Sequence, residues 1–426
     1  MGNNARIVIV GAGFGGAYCA KEFAHLRWPE GTEVLLLDRN NYLLFYPLLV
    51  EAGVGSIEAR HVVIPLRKFT GRKVQFKMAE VTSVDLEKRE VAFSMDGFSE
   101  SQRVSYDHLI LSLGSITREP DMPGLKQFGF QLKTLVDAIA LRDRGIRLLE
   151  QANSFDDPLK RKELLTCVVV GANFTGIEFA GEYFEFLREA ARSYPNVREE
   201  EIRMLVLEYS DKILSATTPD LAAWCQKTLE RRGVEIRTKS TVTEVGADYA
   251  VTSYGERVPT HTVLWAAGIA PNPMIKQISG LPLNQHGYID CESDLRVKGL
   301  SNVWAIGDCA TVYNPEGKPY VATAQTASRE GPLVARNVLA SLQGEPTRPF
   351  RFHELGSFAA IGAKQAAADV MGLHLKGFLG WVMYRGAYWV KMPTAGMKTR
   401  LLADWMTELV FRNEPVQLGV HTLAER

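Results

Sequence analysis

The residues of this chain best suited to chemistry stand in short glycine-bearing turns. Gly11-Ala12-Gly13-Phe14-Gly15-Gly16 follows the apolar run at residues 7–10 and opens a stretch of helical character at about 17–26. In that setting Gly11 permits a tight turn, Gly13 lets backbone approach a pyrophosphate, and Gly16 lets a helix pack closely on a sheet. The start of the helix adds unpaired N–H groups and the positive end of its dipole, which suits phosphate. Asp38 closes a second apolar run, residues 33–37, and is placed to accept hydrogen bonds from an adenosine ribose. That acid points to FAD over FMN.

The plan recurs about 160 residues later. Residues 167–170 lead into Gly171-Ala172-Asn173-Phe174-Thr175-Gly176, a helix runs to about residue 194, and a run at 203–207 ends in Glu208. Asn173 stands where the middle glycine is wanted; asparagine tolerates unusual backbone angles, but its side chain takes up space. Glu208 favours NADH, because a carboxylate there accepts from a free 2′-hydroxyl and repels a 2′-phosphate. Behind the turn, Glu178, Glu182, Glu185 and Glu189 recur at helical spacing, with Phe179, Tyr183, Phe186 and Leu187 on the other side. Glu185 and Glu189 read as a solvent face. Glu178, in the first turn, lies beside the place a bound nicotinamide would reach.

These turns need strands before them and helices after them, and alternating elements of that kind define an α/β chain. Residues 118–124, with Pro120, Pro123 and Gly124, read as a crossing between domains, and Pro271-Asn272-Pro273 lies near the return. The expected organisation is therefore an FAD-binding domain in two parts, 1–120 and 286–352, a Rossmann-like NADH domain at 121–285, and a C-terminal membrane-associating region at 353–426. With 49 basic and 49 acidic residues the chain has no basic excess for nucleic acid. The five cysteines are scattered without a C-x-x-C pair and the eight histidines do not cluster, so neither a disulfide framework nor a metal site is expected. The opening reads as neither a targeting segment nor a myristoylation signal, and no apolar run reaches the length of a spanning helix. From Val370 to Ala403 there is no acidic residue, while Lys376, Arg385, Lys391, Lys398 and Arg400 interleave with Phe378, Trp381, Tyr384, Tyr388 and Trp389. Leu402, Trp405, Met406 and Leu409 then follow the spacing of one apolar helix face, a pattern suited to a bilayer surface.

A family resemblance gathers these features. Val303-Trp304-Ala305-Ile306-Gly307-Asp308-Cys309-Ala310 resembles the second FAD fingerprint of two-dinucleotide flavoproteins, and residues 106–115, which include Gly114, and Trp265-Ala266-Ala267-Gly268 are similar to that superfamily's intermediate signatures. Within it the chain most resembles type II NADH:quinone oxidoreductases, on Asp38-Arg39-Asn40-Asn41-Tyr42 with Phe45 and Pro47-Leu48-Leu49, on Thr175-Gly176-Ile177-Glu178, on Ala324-Gln325-Thr326-Ala327 with Gly331, and on the region Gly377–Trp381. The resemblance implies that FAD is held by Gly11, Gly13, Phe14, Gly15, Gly16, Asp38, Arg39, Gly114, Gly307, Asp308, Ala324 and Gln325. It implies NADH, as substrate, at Gly171, Asn173, Thr175, Gly176, Glu178, Glu208 and Gly268. Glu178 and Gln325 become the catalytic candidates, Gln325 where flavin and quinone meet. Two positions depart from the family pattern, Asn173 and Leu43, where histidine is common. The resemblance further implies a peripheral enzyme of the respiratory chain on the cytoplasmic face of the cell membrane, with a membrane quinone as partner and a homodimer left open. Two rivals stay open: a quinone reductase fed by sulfide or another donor, and a flavin-bearing sensor of NADH.

Overall fold

The structure, a computed structural model, describes residues 5–98, 100–411 and 414–419; the opening residues 1–4 and the end of the C-terminal block, 420–426, lie outside the described residues. The chain is α/β and falls into two compact units, each assembled from several segments.

The first unit takes the described residues of Met1–Leu44, with Val63–Ile116 and Ile269–Glu354. Its centre is a five-stranded sheet in the order Val303–Ala305, His108–Leu111, Arg6–Val10, Glu33–Asp38 and Gln75–Met78, parallel throughout. Ile7, Val8, Ile9 and Val10 are buried, as are Leu109, Ile110 and Leu111 beside them. Apolar runs without alternation are what a parallel sheet covered on both faces requires. The helices Phe14–His25 and Ala324–Gln343 pack against each other. Their contact is close because Gly331 has no side chain: a methyl there would collide with Gly15 O and lie 2.7 Å from Cys19 N. An antiparallel meander of Glu80–Asp85, Glu90–Ser94 and Gln102–Ser105 completes the plan.

The second unit takes Phe45–Val62, Thr117–Gly268 and the described residues from Leu355 onward. It repeats the design with Gly129–Phe130, Thr262–Trp265, Thr166–Val170, Arg203–Leu207 and Glu235–Arg237 in one parallel sheet. Val168, Val170, Leu205, Leu207, Val263 and Trp265 pack in one apolar cluster beneath its own meander. The helix Leu135–Asn153 starts at a reciprocal capping box between Thr134 and Asp137.

The C-terminal region differs from the sequence expectation in part. It begins with an antiparallel sheet, Gly356–Ala360, Ala366–Val370 and Leu373–Lys376, before the helices Gly377–Lys391 and Ala395–Val410. Trp381, Tyr384, Arg385 and Trp405, read from the sequence as part of a membrane-facing surface, are buried within this unit. The reason is Glu51, only 2% exposed, whose carboxylate accepts from Trp405 Nε1 at 2.9 Å and faces Arg385 Nη2 at 3.5 Å. Arg385 also pairs with Glu408 and lies 4.0 Å from the centre of the Trp381 ring. No helix among the described residues is long and apolar enough to cross a membrane.

Candidate functional site

The first cradle forms where the strand Arg6–Val10 passes into the helix Phe14–His25. Gly11 turns the chain at φ +94°, a conformation that favours glycine, and its N–H donates to Leu37 O at 2.8 Å. Ala12 N donates to Asp38 Oδ2 at 2.6 Å and Asn40 N to Oδ1 at 2.7 Å, so backbone aims the carboxylate. Burial pushes the Asp38 pKa up, and those two hydrogen bonds and Arg39 oppose it. Gly16 N is held from the neighbouring strand end by Ser112 Oγ at 2.9 Å. A Cβ built on Gly13 would meet no other protein atom within 4 Å, so the space before the turn is open to a ligand. Gly13 itself contributes no capping side chain to the helix start. An acid fixed beside a helix start left open at Gly13 fits the adenosine and pyrophosphate of FAD.

Other residues assigned to FAD lie in the same unit. Gly307 turns at φ +71° and donates its N–H to Glu330 Oε2 at 2.6 Å. Burial pushes the Glu330 carboxyl up to about 7. Asp308 Oδ2 accepts from Ser115 Oγ at 2.9 Å, next to Gly114 at φ +67°. Ala324 and Gln325 open the helix Ala324–Gln343, whose start is capped by Thr323 on Thr326 N. Phe14 stacks on Tyr18, Gly15 packs on Ser112 and Ile306, and Arg39 is exposed.

The second cradle copies the first nearly atom for atom. Gly171, at φ +100°, donates to Leu207 O at 2.8 Å, and Ala172 N donates to Glu208 Oε2 at 2.6 Å. Ser210 N and Oγ hold the other Glu208 oxygen at 2.8 and 2.7 Å. Asn173 caps the helix Phe174–Ala191: its Oδ1 accepts from Gly176 N at 3.1 Å and its Nδ2 donates to Ala266 O at 2.7 Å. Thr175 is half-buried in the first turn, and Gly268 turns the strand end at φ +84°.

One turn further, Glu178 Oε1 accepts from Ala360 N at 3.3 Å and Glu182 Oε1 from Gly362 N at 3.2 Å. The C-terminal sheet thus covers this face of the helix. Burial raises the Glu178 carboxyl well above the usual range, reinforced by Glu182 and Glu51 against the pull of the Ala360 N–H. Glu182 is pushed up to about 8, also chiefly by burial. Glu185, expected on a solvent face, is half-buried and pairs with Arg232 at 2.9 Å.

Ser112 and Glu330 were not singled out in the sequence, and Glu182 stood there only as one member of an acidic stripe. The four-residue step from Glu178 to Glu182 is the only signal for the last, and the sheet that buries it is assembled from a segment far along the chain. The five free cysteines are all buried, and no potential metal-binding group of His, Cys, Asp and Glu occurs among the described residues.

Comparison with known proteins places the family and the fold. The profile of the pyridine nucleotide-disulphide oxidoreductase family matches residues 5–331. A probable NADH dehydrogenase of Dictyostelium discoideum is 33% identical over 96% of this chain and 90% of its own length. A demethylphylloquinone reductase of Synechocystis is 30% identical, over 96% of this chain and 98% of its own. In fold, the chain superposes on the Plasmodium falciparum NDH2 solved with NADH at a TM-score of 0.87, with 19% identity, covering 97% of this chain and 100% of that one.

Proposed function

The chain belongs to the pyridine nucleotide-disulphide oxidoreductase family, and from that premise we propose that it is an FAD-dependent type II NADH:quinone oxidoreductase, passing two electrons from NADH to a quinone without pumping protons. The observation that carries this reading is the pair of cradles in one chain, each with an acid held at the end of its second strand by a turn N–H, Asp38 by Ala12 and Glu208 by Ala172. One suits a resident flavin dinucleotide and the other a nicotinamide dinucleotide without a 2′-phosphate.

FAD, when bound, supplies the chemistry of accepting a hydride and handing on an electron pair. Gly11, Gly13, Phe14, Gly15, Gly16, Asp38, Arg39, Gly114, Gly307, Asp308, Ala324 and Gln325 are proposed to hold it; Gly171, Thr175, Gly176, Glu208 and Gly268, with the backbone of the turn at Asn173, are proposed to hold NADH. Glu178 is the proposed proton-holding group, since its buried carboxyl favours the protonated form. Gln325 is proposed to orient the quinone. Nothing favours a donor such as sulfide: thiolate chemistry needs accessible, acidified cysteines, whereas Cys167 and Cys309 are buried and their thiols pushed up.

The exposed sides of the helices Gly377–Lys391 and Ala395–Val410 are the proposed membrane surface, which would make the enzyme peripheral, on the cytoplasmic face. Phe378, Leu379, Val382, Val390, Leu402 and Met406 are exposed there, and Lys391 and Arg400 are exposed on the same helices. Apolar side chains with cations nearby suit anionic lipid. The same faces would also suit a second copy of the chain, which light scattering in detergent-free buffer detects.

Stopped-flow absorbance of the anaerobic holoenzyme tests the assignment. NADH should bleach the flavin band rapidly and added quinone should restore it. Gln325→Ala should slow mainly the restoration. No bleaching by NADH defeats the proposal in favour of another donor, and a slow charge-transfer band without turnover defeats it in favour of a sensor.

A further inference from the structure

The two cradles differ at one point, and the difference is paired. Val10 registers with Leu111 in the first sheet, and Val170 registers with Trp265 in the second. The next residues, Ser112 and Ala266, donate their N–H to Val10 O and Val170 O, both at 2.8 Å, so they hold equivalent places. Gly13 and Asn173 are equivalent as well: their backbones lie at φ −65°, ψ −165° and φ −74°, ψ −174°, and both residues are exposed. In the first cradle the hydroxyl of Ser112 holds Gly16 N, and nothing projects from Gly13. In the second, Ala266 has no hydroxyl, and the Asn173 carboxamide takes over, holding Gly176 N and reaching across to Ala266 O. The cap has moved from behind the turn to in front of it.

That place has a ligand's use. A Cβ at Gly13 would enter protein-free space, the space through which backbone and pyrophosphate approach one another. In the second cradle the same direction is filled by a side chain hydrogen-bonded at both ends. A pyrophosphate coming to the Phe174–Ala191 helix start must displace that amide and break its two bonds. We propose, building on the nicotinamide assignment of the second cradle, that the Asn173 carboxamide is a resident competitor for the pyrophosphate of the nicotinamide dinucleotide, and that the Asn173/Ala266 pair sets weaker binding there than the Gly13/Ser112 pair sets in the first. A cofactor that stays bound is served by an open cradle. A substrate that must leave in every turnover is served by one that closes itself.

The experiment transplants the first arrangement into the second. The FAD-loaded protein and its Asn173→Gly, Ala266→Ser and Asn173→Gly/Ala266→Ser variants are titrated calorimetrically with NAD⁺, which binds without reducing flavin, and melted in parallel. Asn173→Gly alone should lower the melting temperature by leaving Gly176 N without its cap. The double variant should recover the melting temperature and bind NAD⁺ about tenfold more tightly, the scale of two modest hydrogen bonds no longer broken on binding. NAD⁺ affinity in the double variant equal to that of the natural protein would show Asn173 to be a cap and no more. A weaker affinity would show that it contacts the dinucleotide. Either result overturns the proposal while leaving the nicotinamide assignment standing, and a double variant that melts early overturns the equivalence of the two caps. If neither the natural protein nor the double variant binds NAD⁺ at millimolar concentration, the nicotinamide assignment itself fails and takes the proposal with it.

Discussion

Single carboxylates in this chain take their properties from what covers them. Asp38 and Glu208 accept hydrogen bonds from turn N–H groups, whereas Glu182 lies under the Ala360–Gly362 corner, and its pKa rises from 4.5 to about 8. An acid with a raised folded pKa binds more protons in the native state than in the unfolded one. Stability therefore falls as pH climbs from about 4.5 to about 8 and then levels off. Glu182→Gln keeps an oxygen for Gly362 N but carries no charge, so it should flatten this slope and leave the variant more stable than the natural protein above pH 8. Denaturant midpoints across that range decide it; an unchanged slope would mean that Glu182 ionises as a solvated carboxylate does. Glu178 and Glu182 were both readable as helix neighbours. Their burial was not, because it depends on a segment 180 to 182 residues further along.

At the scale of elements, the approach of the helices Phe14–His25 and Ala324–Gln343 is set by Gly331. That glycine closes the stretch at residues 324–331 that carries part of the family resemblance, yet in this fold its task is packing against Gly15 O and Cys19 N. Gly331→Ala should force the two helices apart at a cost of roughly 1–3 kcal/mol, the usual penalty for overpacking. Because the displaced helix carries the first cradle at its start, the purified variant should show both a lower melting temperature and a lower ratio of FAD to protein. A variant that melts early but retains full FAD would separate the packing of that helix from the cradle.

For the whole molecule, the C-terminal helices serve two environments at once. Their inner sides hold Trp405 and Arg385 on Glu51, while Phe378, Leu379, Val382 and Met406 face outward. Cutting the chain before these helices would expose a buried carboxylate and destroy the unit, so the membrane assignment is better tested on the outer sides alone. Leu379→Ser/Val382→Ser/Met406→Ser should leave the melting temperature nearly unchanged and weaken flotation with anionic liposomes, since each side chain adds at most about 1.5–3 kcal/mol of apolar burial. Reduction of a short-tailed quinone should be kept and that of a long-tailed one should drop. Undiminished flotation would assign the exposed sides to another partner.

The sequence by itself determined the α/β class, the duplicated cradle and the acids that close each second strand, because these rest on residues close together in the chain. A glycine needed for positive φ, an unbroken apolar run for a doubly covered strand and a helix start after a turn are local requirements, and each leaves a local mark. Only the tertiary structure decided that Ser112 and Asn173 perform the same capping task from opposite sides, that Glu330 accepts from Gly307, and that Trp381, Tyr384, Arg385 and Trp405 of an aromatic, basic C-terminal run are core. Each of these depends on which strand end or helix face is brought alongside. The same tryptophan that would suit a bilayer is buried as soon as its N–H meets Glu51, because a buried carboxylate is costly without a donor. Periodicity reports that a face is apolar; the folded chain alone supplies what it packs against.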